Sequence, residues 1–176
     1  MRLAALPARG GTAPSRSHAA LIGVGLLALL VAALAVATLA RQGTRPGDAV
    51  VLRAATNTAR AEEGLKPLAV DARLSRAARD YAAALASSGR FEHTDIRGST
   101  VVDRAEAVGY ASWAFLGENL ARTADGVPLE HVVAAWLNSE SHRANLLSAE
   151  ASEMGAGCVR RDGAIWCVQL FGRSAP

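Results

Sequence analysis

The chain is predicted to fold as α+β, a three-layer α-β-α sandwich with a small antiparallel sheet, preceded by one N-terminal transmembrane helix or signal sequence. Three observations predict this. Ala164 to Phe171, AIWCVQLF, is almost unbroken in apolar residues, so a strand there needs cover on both faces. Upstream, several segments repeat apolar residues at three- and four-residue spacing, the pattern of amphipathic helices that provide such cover. Ahead of both, Ala19 to Ala40 is an uncharged apolar run long enough for a bilayer core, which needs about 20 helical residues.

Residues 1–18 form a basic tail. Arg2, Arg9 and Arg16 have no acidic residue among them, and positive-inside bias keeps such a tail cytoplasmic and exports the chain beyond Arg41. The run 19–40 exceeds the roughly 7–15 apolar residues of a secretory signal, which favours an uncleaved anchor and a single-pass membrane protein with its C-terminal domain outside. The triplets Ala35-Val36-Ala37 and Thr38-Leu39-Ala40 leave cleavage, and hence secretion, open. Residues 41–47, RQGTRPG, read as a polar linker, and residues 48–176 as one domain. The net charge of +3 misleads about that domain: five of the 19 basic residues precede Asp48, whereas all 16 acidic ones lie from Asp48 onward, which leaves the domain at −2. It has no basic stripe to neutralise phosphates, so nucleic acid is excluded as a partner.

Within the domain, Val51, Leu52, Ala55, Ala59 and Glu62 share a helical face, so a helix is expected from an Asp48 N-cap to Glu63, closed by Gly64. Pro67 imposes an extended stretch. Asp71 caps a second helix whose stripe is Leu74, Ala77, Ala78, Tyr81, Ala82 and Leu85, ended by Ser87, Ser88 and Gly89. FEHTDIRGS is a loop by composition, followed by a short helix from Thr100 to Val108 that Gly109 terminates. YASWAFLGENLA carries a short strand near its end. Pro128 suits the first turn of a helix with Val132, Val133, Trp136 and Leu137 on its apolar face. Ser141 caps a last short helix, HRANLL, which His142 would open.

Asp162-Gly163 is a favoured type I′ hairpin turn between apolar stretches. A two-residue turn there sets Cys158 opposite Cys167 in a non-hydrogen-bonded pair, where side chains approach most closely. Outside the cytoplasm such a pair oxidises, and the bridge is expected to contribute on the order of 2–3 kcal/mol. Two free buried thiols are the alternative.

No local signature of chemistry is present: no His-Glu-x-x-His, no paired Cys-x-x-Cys, no acidic calcium loop and no Gly-x-Ser-x-Gly elbow. Any site must be assembled from distant residues. Of the four histidines, His18 lies in the tail and His131 beside Glu130 reads as solvated surface. His93 and His142 each sit among small residues at a loop or helix start, where a ring can face a cleft.

The ordered blocks FEHTD, GENLA, AAWLNSESHRANLL, EMGAGC and WCVQLFG resemble the bacterial-type CAP domain, the SCP-like superfamily of cysteine-rich secretory proteins, antigen 5 and pathogenesis-related 1, over roughly Val51 to Gly172. NTARAEEGLKPLAVDARLSRAARDYA is similar to that family's first two helices. The resemblance implies an α-β-α sandwich with a cleft holding His93, Glu118 and His142, with Asn119 and Ser139 on its wall. It departs at Ser139, where eukaryotic members carry a second carboxylate; Glu140 leaves a helix about 100° away from that direction. A dipole at the start of HRANLL favours the neutral imidazole of His142 that a divalent metal requires. His93 and His142 are therefore expected as metal ligands, with Zn2+ or another divalent ion as the cofactor.

Two functions compete, with a vestigial envelope domain as a third. One is an extracytoplasmic module that binds a lipid, small molecule or other cell-envelope ligand. The other is a metal-dependent, peptidase-like hydrolase in which His93, Glu118 and His142 are catalytic, with Glu118 or Ser139 moving protons. The arginine asymmetry generates a first test: protease added to intact cells is expected to remove the domain. Protection until lysis would reverse the orientation.

Overall fold

The structure, a computed structural model, describes residues 45–176. The basic tail and the apolar run 19–40, with the anchor or signal read from them, lie outside the described residues. Among the described residues no helix is long and apolar enough to cross a membrane.

Helix α1 (Pro46–Glu62) starts earlier than expected, and Asp48 is not its cap. Arg45 holds the N-cap position and Pro46 opens the helix, where a missing N–H costs nothing. Asp48 lies in the first turn and binds Arg160 through two bonds of 2.9 and 3.0 Å. Arg160 also reaches Asp125, so one guanidinium joins α1 to two distant segments. After Pro67 the chain forms β1 (Ala69–Val70). Asp71 caps α2 (Ala72–Ser88) by accepting from the N–H groups of Arg73 and Leu74, and Gly89, at φ 71°, ends the helix in the left-handed region. The expected apolar stripe of α2 is buried throughout. Thr100 and Asp103 form a reciprocal capping box at α3 (Val101–Ala107).

The largest departure is β2 (Trp113–Ala124), a strand of 12 residues in place of the short one expected. Its buried middle includes Glu118 and Asn119, polar side chains in place of the apolar ones that would have revealed the alternation. Pro128 precedes α4 (Leu129–Leu137) at the N-cap position. Helix α5 (Glu140–Leu146) has Ser139, not Ser141, at its N-cap, which places His142 third in the helix rather than first. The chain ends in the expected hairpin of β3 (Glu153–Arg161) and β4 (Ala164–Ser174), with Asp162 at φ 51° and Gly163 at φ 75° in the turn.

The strand order is β1-β3-β4-β2. β4 pairs antiparallel with β3 and β2, but β1 runs parallel to β3, so the sheet is mixed rather than antiparallel. The extended stretch after Pro67 docks there through Ala69 N–H to Ser152 O and Asp71 N–H to Met154 O, each 2.9 Å. Two apolar clusters cover the two faces. Leu52, Trp136 and Leu146 from α1, α4 and α5 pack with Met154, Ile165 and Phe171. Leu74, Tyr81 and Ala105 from α2 and α3 pack with Trp166, Val168 and Leu170.

Cys158 and Cys167 are bonded, with Cα atoms 4.2 Å apart, in the register the turn dictates. Glycines set the closeness of α2 to β3: a Cβ on Gly157 would lie 2.3 Å from the Cα of Arg79. Gly157→Ala is therefore expected to cost about 3 kcal/mol in urea denaturation, because the obstruction is backbone and cannot rotate away. The disulfide predicts no alkylatable thiol in the non-reduced protein, and two after reduction.

Candidate functional site

Side chains alternate along β2, so Glu118 and Leu120 face the α2 and α3 layer while Gly117 and Asn119 face α4 and α5. Glu118 is the pivot of the first side. Its side chain is 2% exposed, and both oxygens are engaged: Oε1 with His93 Nδ1 at 2.8 Å and Oε2 with Arg104 Nη2 at 2.7 Å. Arg104, from α3, stacks 3.4 Å above the Tyr81 ring and donates to the carbonyls of Ser99 and His93. Its Nε is buried without a partner. The Tyr81 hydroxyl in turn donates to Glu92 O at 2.6 Å, which ties the FEHTD loop to α2. The histidine of that loop is thus held by the Glu118 carboxylate beneath it.

On the second side, Ser139 Oγ and His142 Nδ1 are 2.8 Å apart, a cap residue bonded into its own first turn. Asn119, expected on the cleft wall, lies beneath it at 0% exposure, with its amide donating to His142 O at 3.0 Å. Asn145 donates to Glu118 O and Asn119 Oδ1, at 3.1 and 3.0 Å. Gly117 is required by that contact, since a Cβ there would meet Asn145 Oδ1 at 2.8 Å. The Trp136 indole N–H donates to Leu120 O at 2.9 Å, and its ring lies 6.4 Å from that of His142.

The structure thus brings His93 to Glu118 and Ser139 to His142, on either side of the β2 edge. The hydrogen bond to Glu118 raises the His93 pKa; burial lowers that of His142, and the nearby His93 adds to the effect. Neither Nε2 has a hydrogen-bond partner among the described residues. A cleft of about 390 Å³ runs along β2 from Leu120 to Thr123, bordered by Phe91, Val132, Trp136, Ser139 and His142. His131, read as solvated surface, is exposed and also borders it.

A metal fits this donor set poorly. With both Glu118 oxygens engaged, two imidazole nitrogens remain, and no three His, Cys, Asp or Glu side chains converge as ligands among the described residues. Sequence reasoning does not single out Arg104, Tyr81 or Asn145. Arg104 looks like one more charge on a short helix, and only the unsatisfied carboxylate of a buried Glu118 would call for it.

The chain belongs to the CAP, or cysteine-rich secretory protein, family, whose model matches residues 53–171. It is 36% identical over 118 residues to the uncharacterized protein YkwD of Bacillus subtilis, a match covering 67% of this chain and 44% of that protein. Identity to the uncharacterized membrane protein YlbC of the same organism is 30% over 106 residues, 60% of this chain and 30% of that protein. The matches thus span less than half the length of both Bacillus relatives. An outer surface protein of Borrelia burgdorferi superposes with a TM-score of 0.68 at 28% identity, covering 75% of this chain and 98% of that one. An extracellular SCP-domain protein of Bacillus anthracis superposes with a TM-score of 0.64 at 27% identity, covering 73% and 41%.

Glu118→Gln removes the charge that Arg104 is buried against, and is expected to cost on the order of 3 kcal/mol in denaturation. By proton NMR, the His93 titration midpoint is expected above, and that of His142 below, the ordinary value near 6.5. The stabilising contribution of His93 is then full below that value and lost as pH rises through its folded pKa, whereas protonation of His142 destabilises as pH falls. In Glu118→Gln the His93 midpoint is expected to fall.

Proposed function

We propose that the domain is an extracytoplasmic ligand-binding and interaction module at the cell envelope, with the cleft beside β2 as its binding site. One observation carries this reading. Glu118, the acidic residue of the site, does not line the cleft and has both oxygens engaged by His93 and Arg104 in a nearly dry setting, so its carboxylate ties α3 and the FEHTD loop, whose Phe91 borders the cleft, to β2 rather than activating a water. The cleft has an apolar lining, with Leu120, Val132 and Trp136 nearly buried in its floor and the exposed Phe91 at its side, a composition suited to the apolar body of a lipid or small molecule. The location is supported by the arginine asymmetry around residues 19–40 and by relatives described as an outer surface protein and an extracellular protein.

A metal-dependent hydrolase is the second reading, favoured by the two histidines. Each engages its Nδ1 with a partner, and their environments push their pKa values in opposite directions, the pattern of acid and base pairs. In that reading His93 and His142 would be the residues to hold a Zn2+ ion, which would supply Lewis acidity toward a carbonyl, although they bring only two donor nitrogens. The protein residues orient the two rings, Glu118 through His93 Nδ1 and Ser139 through His142 Nδ1.

Calorimetric zinc titration of the full chain and of His142→Ala, at about pH 7.5 and about pH 5.5, separates the readings, together with mass spectrometry of co-purifying lipids and small molecules. The binding-module reading expects a retained ligand and no zinc affinity that His142→Ala abolishes. Zinc binding that is lost both in His142→Ala and at the lower pH, with hydrolysis that requires the ion, would replace it with the hydrolase.

A further inference from the structure

The register assigns each backbone group of β2 to one of two sides. Gly117, Asn119, Ala121 and Thr123 bond to β4, and the Asp125 N–H continues the series to Gly163 O at 2.8 Å. The even-numbered residues therefore turn their N–H and C=O groups to the open edge. Three carbonyls on that edge are satisfied: Glu118 O by Asn145, Leu120 O by the Trp136 indole, and Ala124 O by the Val127 N–H at 3.3 Å. Among the described residues, nothing bonds the Arg122 carbonyl or the amides of Leu120, Arg122 and Ala124. Leu120 is only 3% exposed, so its amide is not open to bulk water.

Edge strands usually shield such groups, often with a charged side chain. Here the Arg122 side chain is folded away, its guanidinium 4.7 Å from the Trp166 ring centroid. The edge instead lies in the cleft, between the Phe91 side and the α4 side. The ionisable side chains bordering this cleft are Arg122, His131 and His142, with no carboxylate among them.

We propose that this edge binds an extended acidic peptide by strand addition: one acidic peptide residue pairs antiparallel with Arg122, exchanging both backbone bonds, and its carboxylate, on the same face, meets the Arg122 guanidinium. The inference rests on the binding-module reading of the cleft and names its ligand class. Main-chain bonds supply attachment, and alternate side chains enter the Phe91 side and the Val127 and Val132 side. The capped carbonyl of Leu120 and the turn after Ala124 limit the paired stretch to about three residues.

The probe is a pool of acetylated hexapeptide amides, alternating Val or Phe with Thr and carrying one central Glu, titrated onto the full chain in detergent with backbone NMR as readout. Shifts at the amides of Leu120, Arg122 and Ala124 are expected. N-methylation of the central peptide residues, or replacement of Glu by Lys, is expected to weaken binding at least about tenfold. Arg122→Pro removes an outward N–H, as edge positions tolerate, together with the guanidinium, whereas Arg122→Gln removes the guanidinium alone; both are expected to weaken binding with the β4 pairing intact, the proline variant more. Ala135→Trp fills the cleft and is expected to abolish binding. Equal affinity for the N-methylated pool, or no binding by any peptide, would overturn strand addition. If a co-purifying small molecule is then still displaced by Ala135→Trp, the cleft reading survives; if Ala135→Trp displaces nothing, both fall.

Discussion

Every residue of β4 from Ile165 to Gly172 is buried, and this double-sided burial governs the rest of the fold. A strand with no solvated face cannot be closed by one layer, so helices must approach from both sides. On the α2 side the approach is close enough that Gly155 and Gly157 have helix backbone where a Cβ would stand. On the other side Trp136, Met154 and Phe171 fill the layer. Placing β4 inside also decides where an edge remains. β1 is two residues long, so the long exposed edge belongs to β2, and the candidate site lies on it.

The chemistry of that edge arises from burying a charge. Glu118 has to be compensated, and the compensation comes from a helix and a loop that share no sequence motif: Arg104 from α3, with its guanidinium over Tyr81, and His93 from the FEHTD loop. Across the strand, Asn119 and Asn145 link the backbone of β2 to that of α5, so the position of His142 depends on the same few residues of β2. The two histidines therefore differ by environment rather than by type. One leans on a carboxylate, and the other is partly enclosed beside an indole.

The features legible in the chain are those with a local cause. The Asp71 cap, the α2 stripe, the Thr100 start and the Asp162-Gly163 turn each depend on a few neighbouring residues, and the turn alone aligns Cys158 with Cys167. The candidate site is legible only through motif resemblance, which names His93, Glu118 and His142. The hidden features have nonlocal causes. Asn119 and Glu118 interrupt the apolar alternation of β2 because they are satisfied by partners 26 and 14 residues away. Asp48 looks like a cap because its true partner, Arg160, is 112 residues distant. Ser141 looks like a cap because nothing in the sequence distinguishes it from Ser139 two positions earlier.

The Asp48 and Arg160 pair has a mechanical consequence. The chain enters the domain at α1, whose first turn is joined by Arg160 to the end of β3 and, through Asp125, to the turn after β2. A pull on the segment before Pro46 is thus delivered to the sheet at one charged rivet and shared between two strands, instead of peeling α1 from its N-terminus turn by turn. Because the rivet is ionic and largely shielded from solvent, its grip rests on a few directional charge-assisted bonds rather than on apolar area, so a small displacement of one guanidinium is felt at α1 and at both strands together.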